Sequence, residues 1–129
     1  MNILQPPDWT RPKGFSHGIA ATGKLVFIAG QVGTTGQGEW KETSFAGQFR
    51  QALLNILAVL GQAKGRPEHI VRLTWYVLDK QEYLSSLQAV GEAYRELMGK
   101  HYPTMAVVQV SGLVEDEARL EIEATAVIP

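Results

Sequence analysis

Arg119-Leu120-Glu121-Ile122-Glu123-Ala124-Thr125-Ala126-Val127 alternates apolar and polar side chains almost without a break. A period of two is that of a β-strand, so Leu120, Ile122, Ala124 and Ala126 share one face, with Arg119, Glu121, Glu123 and Thr125 opposite. Upstream, Met105 to Val110 is predicted as another strand, apolar on both faces, with Pro103 stopping whatever precedes it. Val71, Leu73, Trp75 and Val77 alternate with Arg72, Thr74 and Tyr76 in a further strand. Lys24–Gly30 is β-branched and apolar with little alternation, which suggests burial on both faces. Ser16–Ala21 forms a short strand closed by a Thr22-Gly23 turn.

Between these strands the period changes. Phe45, Phe49, Ala52, Leu53, Ile56, Leu57 and Leu60 recur at three- and four-residue intervals, the signature of one helix face. Ser44 is placed to cap that helix, and Gly65 with Pro67 ends it. Asp79 followed by Glu82 has the spacing of a capping pair for a second helix, about residues 80 to 98. Its stripe includes Leu84, Leu87, Val90, Ala93, Tyr94 and Leu97. Residues 1–14 hold Pro6, Pro7 and Pro12 and read as an extended arm. The order β-β-α-β-α-β-β predicts a single α+β domain over residues 1–129, two helices packed on one face of a sheet. The other face then needs a cover other than bulk water, and association of sheets between subunits is the economical one.

Composition narrows the function. The chain has 129 residues, a formal charge of −1 and no cysteine. A near-neutral chain offers no broad cationic field, so no nucleic-acid partner is expected. Absence of cysteine removes disulfides, thiolate metal sites and Cys nucleophiles. No apolar run approaches the roughly 18 residues of a membrane span, and no leader is evident. The default expectation is a cytoplasmic protein with no membrane partner.

Candidate chemistry is sparse. His17, His69 and His101 lack metal-ligand spacing. His69 and His101 read as loop residues, while His17, beside the first strand, is placed to face a cleft. Gly33–Gly38 lacks the Gly-Lys-Ser/Thr ending of a phosphate loop and reads as a solvated hairpin connection. Glu115-Asp116-Glu117 reads as a solvated turn between strands. Glu121 and Glu123 stand apart because they share a strand face. If an interface covers that face, a carboxylate there is desolvated and suits acid or base work on a bound water. Otherwise they are two exposed or salt-bridged glutamates with Arg119 nearby.

Several motifs together point further. Gly14-Phe15-Ser16-His17, Phe27-Ile28-Ala29-Gly30-Gln31, Gln51-Ala52-Leu53-Leu54-Asn55-Ile56, Tyr102-Pro103 and Leu120-Glu121-Ile122-Glu123-Ala124-Thr125-Ala126 resemble, in order and spacing, the RidA/YjgF family. That family is also known as endoribonuclease L-PSP or translation initiation inhibitor-like. The resemblance implies a chorismate-mutase-like α+β fold with a mixed sheet, and a homotrimer whose sheets build a central barrel. It also implies a ligand cleft at each subunit interface, and hydrolysis of small 2-imino or enamine metabolites without metal or organic cofactor. By position, Glu121 matches the glutamate that holds the hydrolytic water, and Gly30 and Gln31 match residues of the cleft. An arginine that grips the substrate carboxylate is replaced here by Met105, a serine by Ala29 and a frequent cysteine by Val107. His17 and Tyr76 offer further polar contacts. The resemblance therefore implies an imine or enamine deaminase whose substrate depends less on a carboxylate. A small-metabolite-binding trimer is the alternative, and the family's older ribonuclease name gains nothing from the composition.

Overall fold

Strand β6 (Leu120–Ile128), the last in the chain, lies inside the main sheet. It is flanked by β3 (Lys24–Gln31) and β4 (Ile70–Val77), both antiparallel to it, and β5 (Thr104–Gln109) lies parallel to β4 at the far edge. The order is thus β3-β6-β4-β5, a mixed sheet. This computed structural model describes residues 1–129. Helix α1 (Phe45–Gln62) packs on β6 and β3, with α3 (Leu87–Met98) beside it. The short α2 (Lys80–Ser85) begins the crossover from β4 to β5. The fold is α+β as the sequence predicts, with three helices rather than two.

The predicted alternation sets the core. Leu120, Ile122, Ala124 and Ala126 are buried against α1, whose Phe45, Phe49, Ala52, Leu53, Ile56 and Leu60 are buried in return. Each such Leu, Ile or Phe contributes roughly 1.5–3 kcal/mol on burial. Ser44 caps α1 as expected, its hydroxyl accepting from the Gly47 amide at 3.0 Å.

Five details differ from the sequence reading. The N-terminal arm is not wholly extended coil, because β1 (Asn2–Leu4) pairs antiparallel with β2 (Gly18–Ala20). On β4, Ile70 rather than Val71 fills the core: the register steps from Ile70–Ala126 to Arg72–Thr125, so Val71 is the extra residue of a bulge. The second helix breaks at Ser86, whose hydroxyl donates to the Glu82 carbonyl at 2.7 Å. Such serine-to-backbone bonds compete with the helical ladder. Leu84 and Leu87, expected in the apolar stripe, are left exposed as a result. Asp79 caps α2 through the Gln81 amide, but Glu82 does not close the capping box and pairs with Arg119 instead. Finally, Gly33–Gly38 is no hairpin connection, since it leads from β3 to α1 through a tight turn in which Thr35 and Glu39 pair.

The helices leave one sheet face open. Leu25 and Phe27 on β3 and Val108 on β5 stand there exposed, Phe27 by 75%. The chain as a whole exposes 7824 Å², against roughly 6,800 Å² expected for a folded monomer of its mass. No helix is long and apolar enough to cross a membrane.

Candidate functional site

Near the end of β3 the sheet register slips. Ile28 pairs with Ala124 but Gln31 with Ile122, so three steps on β3 oppose two on β6. The bulge falls at Ala29-Gly30, where the Gln31 side-chain amide donates to the Ala29 carbonyl at 3.1 Å. Glu121 lies directly over it. A β-carbon at Gly30 would overlap the Glu121 carboxylate and sit 3.0 Å from its Cγ, so the close approach requires glycine.

The two glutamates of the open face are chemically different. Glu123 accepts a hydrogen bond from the Tyr76 hydroxyl at 2.7 Å. That bond, with burial and the neighbouring carboxylate charges, holds the Tyr76 phenol above its ordinary range. Glu121, in register with Tyr76 across the strands, makes no side-chain hydrogen bond within the chain. Neither glutamate meets Arg119, whose guanidinium donates to the Thr43 carbonyl and to Glu82, each at 2.6 Å. Of the two, Glu121 is thus the carboxylate without a hydrogen-bond partner in the chain.

One chain brings together only part of the expected set. Ala29, Gly30, Gln31 and Glu121 meet at the bulge, with Tyr76 alongside. Met105 and Val107 do not join them. They project from edge strand β5 toward the helices and pack against the core, on the face opposite Glu121. Strand β4 lies between, a separation of about 10 Å across the sheet. His17 is also remote. It packs edge-on to Trp9 and Phe15 at 5.0 and 5.3 Å, and lines a hollow with Phe27, Arg72, Thr104 and Thr125. Thr125 is four residues along β6 from Glu121, about 13 Å. His69 and His101 are structural, His69 accepting from the Arg66 amide and His101 bonded to the Ile70 carbonyl.

A residue absent from the sequence reading packs behind the loop that follows the bulge. Gln48 is 2% exposed. Its amide donates to the carbonyls of Glu42 and Glu117, at 3.2 and 3.0 Å, and its oxygen accepts from the Arg119 amide at 2.8 Å. Gly33 presses against it so closely that a β-carbon there would fall 2.7 Å from the Gln48 Cβ. Gln48 therefore ties the segment after Gly30 to the segment before Glu121. The signal was a glutamine on the apolar stripe of α1, between Phe45 and Phe49.

Comparison with known proteins agrees with this architecture. Residues 10–128 match the endoribonuclease L-PSP family. The chain belongs to that family. Among curated proteins, a RutC family protein of Pyrococcus horikoshii is 34% identical over 113 residues, 87% of this chain and 85% of that one. The 2-iminobutanoate/2-iminopropanoate deaminase of Escherichia coli K12 is 29% identical over 105 residues, 81% of this chain and 80% of that one. Among solved structures, the Rid family protein YyfB of Yersinia pestis superposes with a TM-score of 0.86 at 29% identity, covering 98% of both chains. Membership of the RidA/YjgF, or L-PSP, family and its fold are thereby established, as the motifs from Gly14 to Ala126 implied.

Proposed function

We propose that this family member hydrolyses a small imine or enamine to the carbonyl compound and ammonia, in a cleft completed when protomers associate as a homotrimer. The observation that carries the reading is Glu121, a carboxylate without an intrachain hydrogen-bond partner, held over the Gly30 backbone on the open sheet face. The deaminase named among the relatives supports the reaction class. The open apolar face, and roughly 1,000 Å² of surface beyond that expected of a monomer, support the association.

In this reading Glu121 accepts a proton as water adds to the imine carbon, forming a carbon–oxygen bond and placing the π electrons on nitrogen. Glu121 returns that proton to the nitrogen, and the new hydroxyl gives up its own proton to the same nitrogen, so ammonia leaves as the carbonyl forms and no redox partner is needed. Met105 has neither charge nor donor, and its packing against the core leaves no cation at that position for a substrate carboxylate. The substrate class is therefore an imine bound mainly by its body and its nitrogen. Met105 also favours the second reading, a protein that binds such a metabolite without turning it over. Ribonuclease action draws no support from a chain of net charge −1.

Ammonia release from imines generated in place by an amino-acid oxidase or an amine oxidase separates these readings. Expected are weak turnover of 2-iminobutanoate, clear turnover of an uncharged imine, and a sedimentation mass near three times 14.2 kDa. Failure with every imine, in a protein of trimer mass, would leave the binding reading. A stable monomer would remove the cleft.

Gly30→Ala tests the geometry directly. The added methyl displaces the flexible end of Glu121 rather than backbone, so the sheet should hold and the melting temperature should change little. Turnover should fall on the order of 10²-fold, as for a catalytic group misplaced by about 1 Å. Unchanged turnover would show that Glu121 need not sit over Gly30.

A further inference from the structure

A cavity of about 440 Å³ opens between the N-terminal arm and the loop after α3. Arg11 stands on one wall, Lys100 and His101 on the other, and no carboxylate lines it. Neither Arg11 nor Lys100 takes part in an ion pair, whereas Arg50, Arg66 and Arg119 each pair with a glutamate. In a chain of net charge −1, two unpaired cations at one cavity make a local positive field.

The walls are fixed by contacts to α3, to β4 and between the arm and the loop. The Tyr94 hydroxyl donates to the His101 carbonyl at 2.6 Å, and His101 Nε2 donates to the Ile70 carbonyl at 2.6 Å. Tyr102 stacks on Tyr94 with ring centroids 5.3 Å apart. From the arm, the buried Ser16 donates its amide to the Pro103 carbonyl at 3.0 Å and its hydroxyl to the Tyr102 carbonyl. Ile3 and Phe15 supply apolar lining. A rigid concavity with an apolar wall and two cations, within the roughly 300–1,000 Å³ range of ligand pockets, has the features of a binding site.

We propose that this cavity binds a small organic anion, a carboxylate or phosphate monoester carried on an apolar or aromatic body. Arg11 presents a planar fork to two oxygens, Lys100 a point charge, and the body covers Phe15 and Ile3. The site stands apart from Glu121. Ser16 bridges to Thr104 on β5, and β4 separates β5 from β6, so the inference does not rest on the proposed hydrolysis.

Titration calorimetry and thermal shift with benzoate, phenyl phosphate and benzamide, at fixed ionic strength, test it. One or both anions should bind and raise the melting temperature, the preference between them naming the headgroup, while benzamide does neither. Arg11→Gln and Lys100→Gln, both at exposed side chains, should each weaken binding about tenfold or more with the unliganded melting temperature unchanged. Glu121→Gln should bind as the wild type does. Binding of benzamide equal to benzoate, no binding of either anion at millimolar concentration, full binding by the doubly substituted chain, or loss of binding in Glu121→Gln would each overturn it.

Discussion

Glu121→Gln is expected to lower hydrolysis of the true imine substrate by about 10²–10⁴-fold, the usual contribution of a placed proton-transfer group. Glutamine keeps the size that fills the space over Gly30 and loses only the basic oxygen. The melting temperature and sedimentation mass should therefore hold, and the loss should appear in kcat more than in KM. Glu123→Gln is the comparison, because its oxygen still accepts from the Tyr76 hydroxyl and it has no proton to take from water in this scheme. Its effect should be far smaller. Equal losses from both substitutions would mean that the pair serves the sheet face rather than the reaction.

The second large effect is on stability. Gln48→Leu conserves volume but removes the buried side-chain partner of three backbone groups: the carbonyls of Glu42 and Glu117 and the amide of Arg119. Each unsatisfied group costs about 1–3 kcal/mol. Some will find water at the loop edge, so a total near 3 kcal/mol is expected, with a fall in Tm of roughly 10 °C. Urea unfolding should show a lower midpoint with an unchanged slope. Because Gln48 joins the segments after Gly30 and before Glu121, turnover at temperatures well below the melt should fall as well. A midpoint shift under 1 kcal/mol would show that the three groups are satisfied without it.

Much of the fold was legible because its elements carry clean periods. Leu120 to Ala126 alternates without ambiguity, and the stripe from Phe45 to Leu60 needs no tertiary information. The misreadings fall where neighbouring residues are equivalent. Ile70 and Val71 are both branched and apolar, so the sequence could not say which one the bulge ejects. Met105 to Val108 is apolar throughout, which hid the fact that Met105 and Val107 turn to the helices while Ala106 and Val108 face outward. The helix break at Ser86 lies between Leu84 and Leu87, whose spacing alone continues the helical stripe. At the site, strand period placed Glu121 and Glu123 on one face, but not the closeness of Glu121 to Gly30. That contact joins residues ninety-one positions apart through a register slip, a property of pairing rather than of either segment. The distance of His17 and Met105 from Glu121 follows from strand order, which no local pattern encodes.

The central place of β6 has a cost during synthesis. Strands β3, β4 and β5 are all made before it, and until residues 120–128 arrive β3 and β4 each present an unpaired edge to the other nascent chains of a polysome. At roughly 5–20 residues per second, the stretch from the end of β4 to the end of β6 takes about 3–10 s to translate. Through that interval the apolar faces of Val26 and Ile28, and of Leu73, Trp75 and Val77, have only α1 and partial pairing to shield them. Aggregation of this protein should therefore be decided less by how stable the finished sheet is than by how quickly its middle strand is delivered. Slowing translation between residues 78 and 119 with synonymous codons should lower soluble yield while leaving the purified protein unchanged.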